Sequence, residues 1–305
     1  MFLRTLVEAC GQTGWIIHSY VLLPNHYHWL LETPEPNLSA GMHWFQGTYA
    51  QRFSKRHQLV GHVFQGRYKA PLIDAGTNHY FRTVSEYIHL NPARAGLLDS
   101  ACPRLSDYRW SSFAWFIGPS SGLPSWLEHR TVAAVYGLDL TSVRGRQAFR
   151  DHLEARAWEC ISGRLGDVDR QRWAILRRGW CYGSEAFRAE LLERVGRALA
   201  GKDRASFGGS MLRAHDEQQA RRLIDRALRR VGLGLQELRK LRKNDARKQA
   251  VAWLVRTRTT MKHKWVGAEL SMGSRVSVYQ AVRRFGAASE PEVARLKRLL
   301  QDLTI

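Results

Sequence analysis

The chain has 305 residues, enough for about two domains, and its 44% hydrophobic content is ordinary for a globular protein. Lys and Arg outnumber Asp and Glu by 47 to 27, and the resulting charge of +20 points to a polyanionic partner, most simply nucleic acid. No apolar run reaches the ~20 residues that span a bilayer, no signal-peptide pattern opens the chain, and Cys10, Cys102, Cys160 and Cys181 form no CxxC pair. These features argue against a membrane protein, a disulfide framework or a thiolate zinc site, and an intracellular, cytoplasmic protein with reduced thiols is expected.

The first residues predict a short helix stopped by Gly11 and Gly14, followed by two strands, "WIIHSYVLL" (15–23) and "HYHWLLE" (26–32), paired as a hairpin across Pro24-Asn25. Alternation puts His26 and His28 on one face of the second strand and Tyr27 and Trp29 on the other. Two imidazoles at that spacing suit a metal ion, and they also suit two ordinary surface histidines. Asn37 is placed to cap a helix whose apolar face is Leu38, Met42, Phe45, Tyr49 and Phe53. Its other face ends in Arg52, Lys55 and Arg56. "HVFQGRYKAPLI" (62–73) predicts a second hairpin turning at Gln65-Gly66. A helix from about Asn78 to Leu90 stops ahead of Pro92, which disfavours the α conformation in the residue before it. "DYRWSSFAWF" (107–116) reads as an aromatic segment packed on the sheet.

The Gly-, Pro- and Ser-rich stretch "GPSSGLPS" (118–125) looks like a boundary, and strand signals vanish from about 126 onward. The expected organisation is a mixed α/β domain over 1–118, a helical linker region over 119–200 and a basic helical region over 201–305. Residues 211–264 hold sixteen Lys and Arg against five Asp and Glu. Further on, "KWVGAEL" (264–270), "SMGS" (271–274) and "RVSVYQAVRRF" (275–285) predict two helices joined by a tight turn, with Gly273 at positive φ and Val278, Val282 and Phe285 facing inward. As a helix-turn-helix, the second helix would offer Arg275, Ser277 and Gln280 to base edges and Arg283 and Arg284 to phosphates. An ordinary helical hairpin with a solvated basic face fits the same pattern. The run "RTRTTMKHKWVGAELSMGSRVSVYQAVRR" resembles helix-turn-helix domains of the replication-initiator type.

"EYIHLNPARAGL" (86–97) supplies partners for the histidines. Tyr87 and Asn91 are four residues apart and share a helical face, beside a stripe of Phe81, Val84 and Ile88. His89 points elsewhere and reads as a surface residue. Two imidazoles and an amide oxygen leave open positions on Mg²⁺ or Mn²⁺ for a phosphate, and Tyr87 would then be an in-line nucleophile. Equally, Tyr87 reads as a buried aromatic and Asn91 as a helix C-terminal residue. Within "FQGRYK", Arg67, Tyr68 and Lys69 alternate charge with an aromatic ring, which fits a single strand or a hairpin tip with solvated charges.

The segments "YVLLPNHYHWLLETPEPNLSAGMHWFQGTYAQRFSKRH", "GHVFQGRYKAPLI", "YIHLNPARAGLL" and "DYRWSSF", in that order through residues 15–118, closely resemble the REP-associated tyrosine transposases, single-tyrosine members of the HUH endonucleases. The resemblance implies an α+β fold, with a ferredoxin-like nuclease domain ahead of the helical C-terminal region. It implies that His26, His28 and Asn91 hold the metal and that Tyr87 is the nucleophile. The implied substrate is single-stranded DNA beside a palindromic hairpin, cut to a 5′-phosphotyrosine and a free 3′-OH by a cytoplasmic, nucleoid-associated bacterial enzyme. Family members carry a further strand upstream of the first helix. This sequence starts directly with that helix, so an unpaired sheet edge and a chain less stable than an upstream-extended one are expected. A non-catalytic regulator bound to palindromic repeats is the alternative of a different class. A replication initiator or relaxase fits less well, because a third metal histidine or a paired tyrosine is not apparent. Oligomeric state is left open.

Overall fold

The computed structural model describes residues 1–98, 104–199 and 210–303; Cys102 and residues 201–209 of the expected basic region lie outside the described residues. The fold is α+β and mostly helical, with a small two-stranded antiparallel sheet. It divides into two compact units, Met1–Phe187 and Arg188–Ile305. Among the described residues no helix is long and apolar enough to cross a membrane.

In the first unit, α1 (Phe2–Thr13) runs through Gly11 and ends only at Gly14, whose backbone N–H bonds the Cys10 carbonyl at φ 71°. The hairpin forms as its alternation predicts: β1 (Ile16–Leu22) pairs with β2 (Tyr27–Glu32), with Val21 opposite His28 and Tyr20 opposite Trp29. The register shifts between Ile17 and Ser19, which leaves His18 as the extra residue of a bulge. α2 (Leu38–His57) starts where Asn37 predicts, yet the Asn37 side chain does not cap it. Instead its Oδ1 accepts from Trp15 Nε1 at 2.9 Å and its Nδ2 donates to the Thr13 carbonyl at 2.7 Å, which locks the α1–β1 corner to the start of α2. Gly41 is required there, since a Cβ would sit 2.3 Å from the Trp15 ring. Phe45 on α2 packs with Tyr27 and Trp29 of β2, and Phe2 closes the cluster from α1.

The expected hairpin over 62–73 does not form. Phe64 instead lies against Tyr27 and Tyr49, and the Tyr68 hydroxyl meets Ser39 Oγ at 3.2 Å, so aromatic anchoring takes the place of a ladder. Only β3 (Leu72–Ile73) is a strand, and it pairs in parallel with β4 (Cys181–Tyr182), far along the chain. α3 (Asn78–His89) ends ahead of Pro92, but the residue before the proline is not pushed out of the helical region as expected: Asn91 opens α4 (Asn91–Arg94) after a one-residue break at Leu90, where the proline takes the first turn in which a missing N–H costs nothing. The aromatic segment reaches the sheet through Ser111, which bridges Val21, and then turns into α5 (Ser112–Ile117). The free edge of β1 is covered by this region: Leu22 N–H donates to the Trp110 carbonyl at 2.8 Å, Tyr20 N–H to Ser112 Oγ at 2.9 Å, and Glu128 N–H to the Ile17 carbonyl at 2.8 Å. β2 has no second strand partner among the described residues.

The Gly-Pro-Ser stretch does not end the first unit. α6 (Arg130–Tyr136), α7 (Val143–Ile161) and α8 (Asp167–Arg178) contribute Val132, Phe149, Leu153 and Trp173 to the same core. His89, expected at the surface, is fully buried, with Nε2 2.8 Å from Ser112 Oγ and its ring against Phe113, Phe116 and Phe149.

The second unit comprises the remainder of α9 (Glu185–Leu199), then α10 (Ser210–Val231), α11 (Leu235–Lys240), α12 (Ala246–Arg258), α13 (His263–Glu269), α14 (Arg275–Ala287) and α15 (Pro291–Leu300). Lys248 is fully buried and donates to the carbonyls of Arg239 at 2.9 Å and Leu241 at 3.0 Å, closing the C-terminus of α11. α13 and α14 are joined by a turn in which Ser271 and Gly273 take φ 52° and 80°. Ser274 Oγ caps α14, accepting from Ser277 N–H at 3.2 Å. Val278 and Phe285 are buried, and Val282 is half-buried.

Burial pushes the His89 imidazole down to about 3, so a proton binds the unfolded chain, with its ordinary value near 6.5, better than the folded one. Its share of stability is therefore complete above about pH 6.5 and drains by about 1.4 kcal/mol per pH unit as the pH falls toward 3. Denaturant titrations at stepped pH should show His89→Gln losing less stability between neutral pH and pH ~5 than the parent; equal losses would contradict this.

Candidate active site

The start of β2 and α3 bring the neighbouring His26 and His28 together with Tyr87, some sixty residues further along the chain. The His26 and His28 rings are 5.1 Å apart, edge to face, and the His28 ring meets the Tyr87 ring edge-on at 5.4 Å. The cause is local: His28 stands on the face of β2 away from the Tyr27–Trp29–Phe45 cluster, and α3 packs across that face by Val84, Tyr87 and Ile88. A hydrogen bond from Ser19 to Ser85 at 3.1 Å fixes α3 on β1 beside it.

Burial is the main cause that takes the His28 imidazole down to about 4, with His26 and Arg94 adding to it. Burial also lowers His26. Both are therefore neutral near pH 7, the form that ligates metals. His26 Nδ1 is 2.7 Å from Asn25 Oδ1, which orients that ring and leaves Nε2 as its open nitrogen. The Tyr87 ring is buried, and its hydroxyl makes no hydrogen bond among the described residues.

Asn91 lies one turn beyond Tyr87 and is buried, but its amide is engaged locally. Nδ2 donates to the Tyr87 carbonyl at 2.8 Å, and Oδ1 accepts from an Arg94 N–H at 3.2 Å. The amide oxygen keeps a second lone pair. Among the described residues no group of three or more His, Cys, Asp or Glu side chains is placed to hold a metal ion. Two imidazoles and an amide oxygen are thus the donor set that this neighbourhood offers.

Glu86, one residue before Tyr87 and about 100° round the helix from it, makes a separate set of contacts. It takes His152 Nε2 at 2.7 Å, Arg82 at 3.7 Å and Arg156 at 3.8 Å, and Arg156 goes on to Asp169 at 2.6 Å and to Glu159. This network ties the helix carrying Tyr87 to α7 and α8. Two further residues stand beside Tyr87. Arg94 lies 4.4 Å over the Tyr87 ring and 4.6 Å over the Trp173 ring, and Trp173 stands edge-on to Tyr87 at 6.0 Å. The seven-residue step from Tyr87 to Arg94 was a usable signal for the first; nothing local marks the second.

The basic residues expected to meet DNA are distributed differently. Arg52 is tied to α1 through Glu8 at 2.8 Å and Thr5 at 3.0 Å. Lys55, Arg56, Arg67 and Lys69 are exposed, and Tyr68 is half-buried. In the second unit Arg275, Gln280, Arg283 and Arg284 are exposed along α14, whereas Ser277 is half-buried against Ser274. Among the described residues, Arg52, Lys55, Arg56, Arg67, Tyr68 and Lys69 make no hydrogen bond, ion pair or ring contact with His26, His28 or Tyr87.

Residues 2–91 match the family described as "Transposase IS200 like". The matched span holds α1 to α3 with His26, His28, Tyr87 and Asn91, and it supports a transposase-type activity in general terms. Comparison with curated proteins and with solved structures gave no match.

Proposed function

We propose that the first unit is a ferredoxin-like, single-tyrosine HUH nuclease of the REP-associated type, which nicks and rejoins single-stranded DNA beside a palindromic hairpin. The observation that carries this reading is the contact between the His28 and Tyr87 rings, with His26 alongside, inside the span that matches the transposase family.

His26 and His28 would hold Mg²⁺ or Mn²⁺, with the second lone pair of Asn91 Oδ1 as the third donor. Two imidazoles suit Mn²⁺ better than Mg²⁺, which prefers oxygen. When bound, the ion supplies Lewis acidity and balances charge on the phosphate. Tyr87 acts as nucleophile: its phenol oxygen bonds to phosphorus, the bond from phosphorus to the 3′ oxygen breaks, and the phenol proton is lost to solvent as the 3′ oxygen gains one. The product pair is a 5′-phosphotyrosine and a free 3′-OH, and the reverse attack by a 3′-OH completes strand transfer. Asn25 holds the His26 ring, and Ser85 and the Glu86 network keep α3 in register with β2.

For the second unit the helix-turn-helix reading is supported by the capped α14, the tight turn before it and the exposed Arg275, Gln280, Arg283 and Arg284. The unit would hold duplex DNA while the first unit processes a single strand. Lys55, Arg56, Arg67, Tyr68 and Lys69 would extend the single-strand path.

Tyr87→Phe should abolish the covalent protein–oligonucleotide adduct in a denaturing gel while leaving the melting temperature near that of the parent, and an adduct formed by the variant would contradict the assignment. Mn²⁺ binding followed by electron paramagnetic resonance should weaken at least tenfold in His28→Ala. Its loss on acidification should set in below the pH at which free imidazoles protonate, because burial lowers both His28 and His26; a midpoint at or above pH 6.5 would contradict this. Arg283→Ala with Arg284→Ala should weaken duplex binding about equally on all sequences and flatten its salt dependence by ~1–2 in slope, an effect whose absence would place the duplex elsewhere.

A further inference from the structure

Beside the histidines and Tyr87 stands Arg94. Several half-buried guanidinium groups elsewhere in the first unit carry carboxylates, although Arg150 has none among the described residues: Arg52 has Glu8, Arg82 has Glu86, and Arg156 has Glu86, Glu159 and Asp169. Arg94 is also half-buried, yet among the described residues it has no carboxylate within ion-pair range. Its partners are two aromatic faces, Tyr87 at 4.4 Å and Trp173 at 4.6 Å, and the single oxygen of Asn91 at 3.2 Å.

A guanidinium carries five N–H donors on its edge, and stacking engages only its faces. One donor goes to Asn91, and the others have no partner among the described residues. Taking such a cation partly out of water without an anion is costly, and the cost falls once an anion arrives. The rings hold the group flat and in place, which spares the ordering entropy that a free surface arginine would lose on binding. The edge lies beside the Tyr87 ring, and it is linked to Asn91, the residue that would complete the metal site.

We infer that Arg94, clamped between Tyr87 and Trp173, receives two oxygens of the DNA phosphate that Tyr87 attacks. This rests on the nuclease reading above. It adds a phosphate-binding residue from beyond the span that matches the transposase family, with its aromatic support from α8. Planar stacking and paired N–H donors are properties of arginine that lysine lacks.

The test measures equilibrium binding of a hairpin-flanked single strand across a salt series, in full-length Tyr87→Phe protein with and without Arg94→Gln, together with single-turnover adduct formation in the Tyr87-containing protein. Loss of one phosphate contact should flatten the slope of log K against log salt by about 0.7. Adduct formation should slow roughly ten- to hundred-fold. Arg94→Lys, which keeps the charge, should retain the slope but lose most of the rate, and it serves as the second variant should Gln impair folding. An unchanged slope and rate in Arg94→Gln, or an unchanged rate in Arg94→Lys, overturns the inference while leaving the nuclease reading intact. If the parent forms no adduct but the slope still flattens, the nuclease reading fails and the phosphate contact stands.

Discussion

Everything proposed for the first unit depends on one packing contact, the lie of α3 across β2. It sets the His28 ring 5.4 Å from the Tyr87 ring. Remove it and the chain has a histidine pair in one place and a tyrosine helix in another, with no shared chemistry. The contact is held from three sides. Phe2, Tyr27, Trp29 and Phe45 press on the far face of the hairpin, Ser19 and Ser85 join β1 to α3, and Glu86 fastens α3 to α7 and α8. Such layering gives a reacting group the sub-ångström placement that in-line attack demands.

Charge is arranged to match. The acidic side chains near α3 are taken up by Arg82, Arg156 and His152. Beside Tyr87 stand two imidazoles that burial keeps neutral and one guanidinium that has no carboxylate among the described residues. A site with that balance favours a phosphodiester over a neutral or cationic ligand. The exposed basic residues of α2 and of the 62–69 loop have the same preference, in keeping with the +20 charge of the chain.

Much of this was legible in the sequence, and the reasons are physical. The hairpin and α3 announce themselves through period-2 alternation, a helical stripe and a proline stop, all of which act over a few residues. What could not be read comes from partners far along the chain. The segment 62–73 has the look of a hairpin, but its only strand, Leu72–Ile73, finds its partner at Cys181–Tyr182. His89 reads as a surface residue on a helix with one apolar stripe, because nothing nearby shows that α5 and α7 will cover the other side. Arg52 looks like one of three equivalent cations at the end of α2 until Glu8 of α1 arrives beside it. Trp173 lies outside every motif and still touches the proposed nucleophile.

The central claim is that the hydroxyl beside His28 is the one that bonds to DNA. The direct measurement is mass-spectrometric mapping of a trypsin-digested covalent adduct formed with a hairpin-flanked single strand. The account predicts the nucleotide on the peptide TVSEYIHLNPAR, residues 83–94, with the added mass on Tyr87. A label on the preceding peptide at Tyr80, or on any residue outside 83–94, would contradict it.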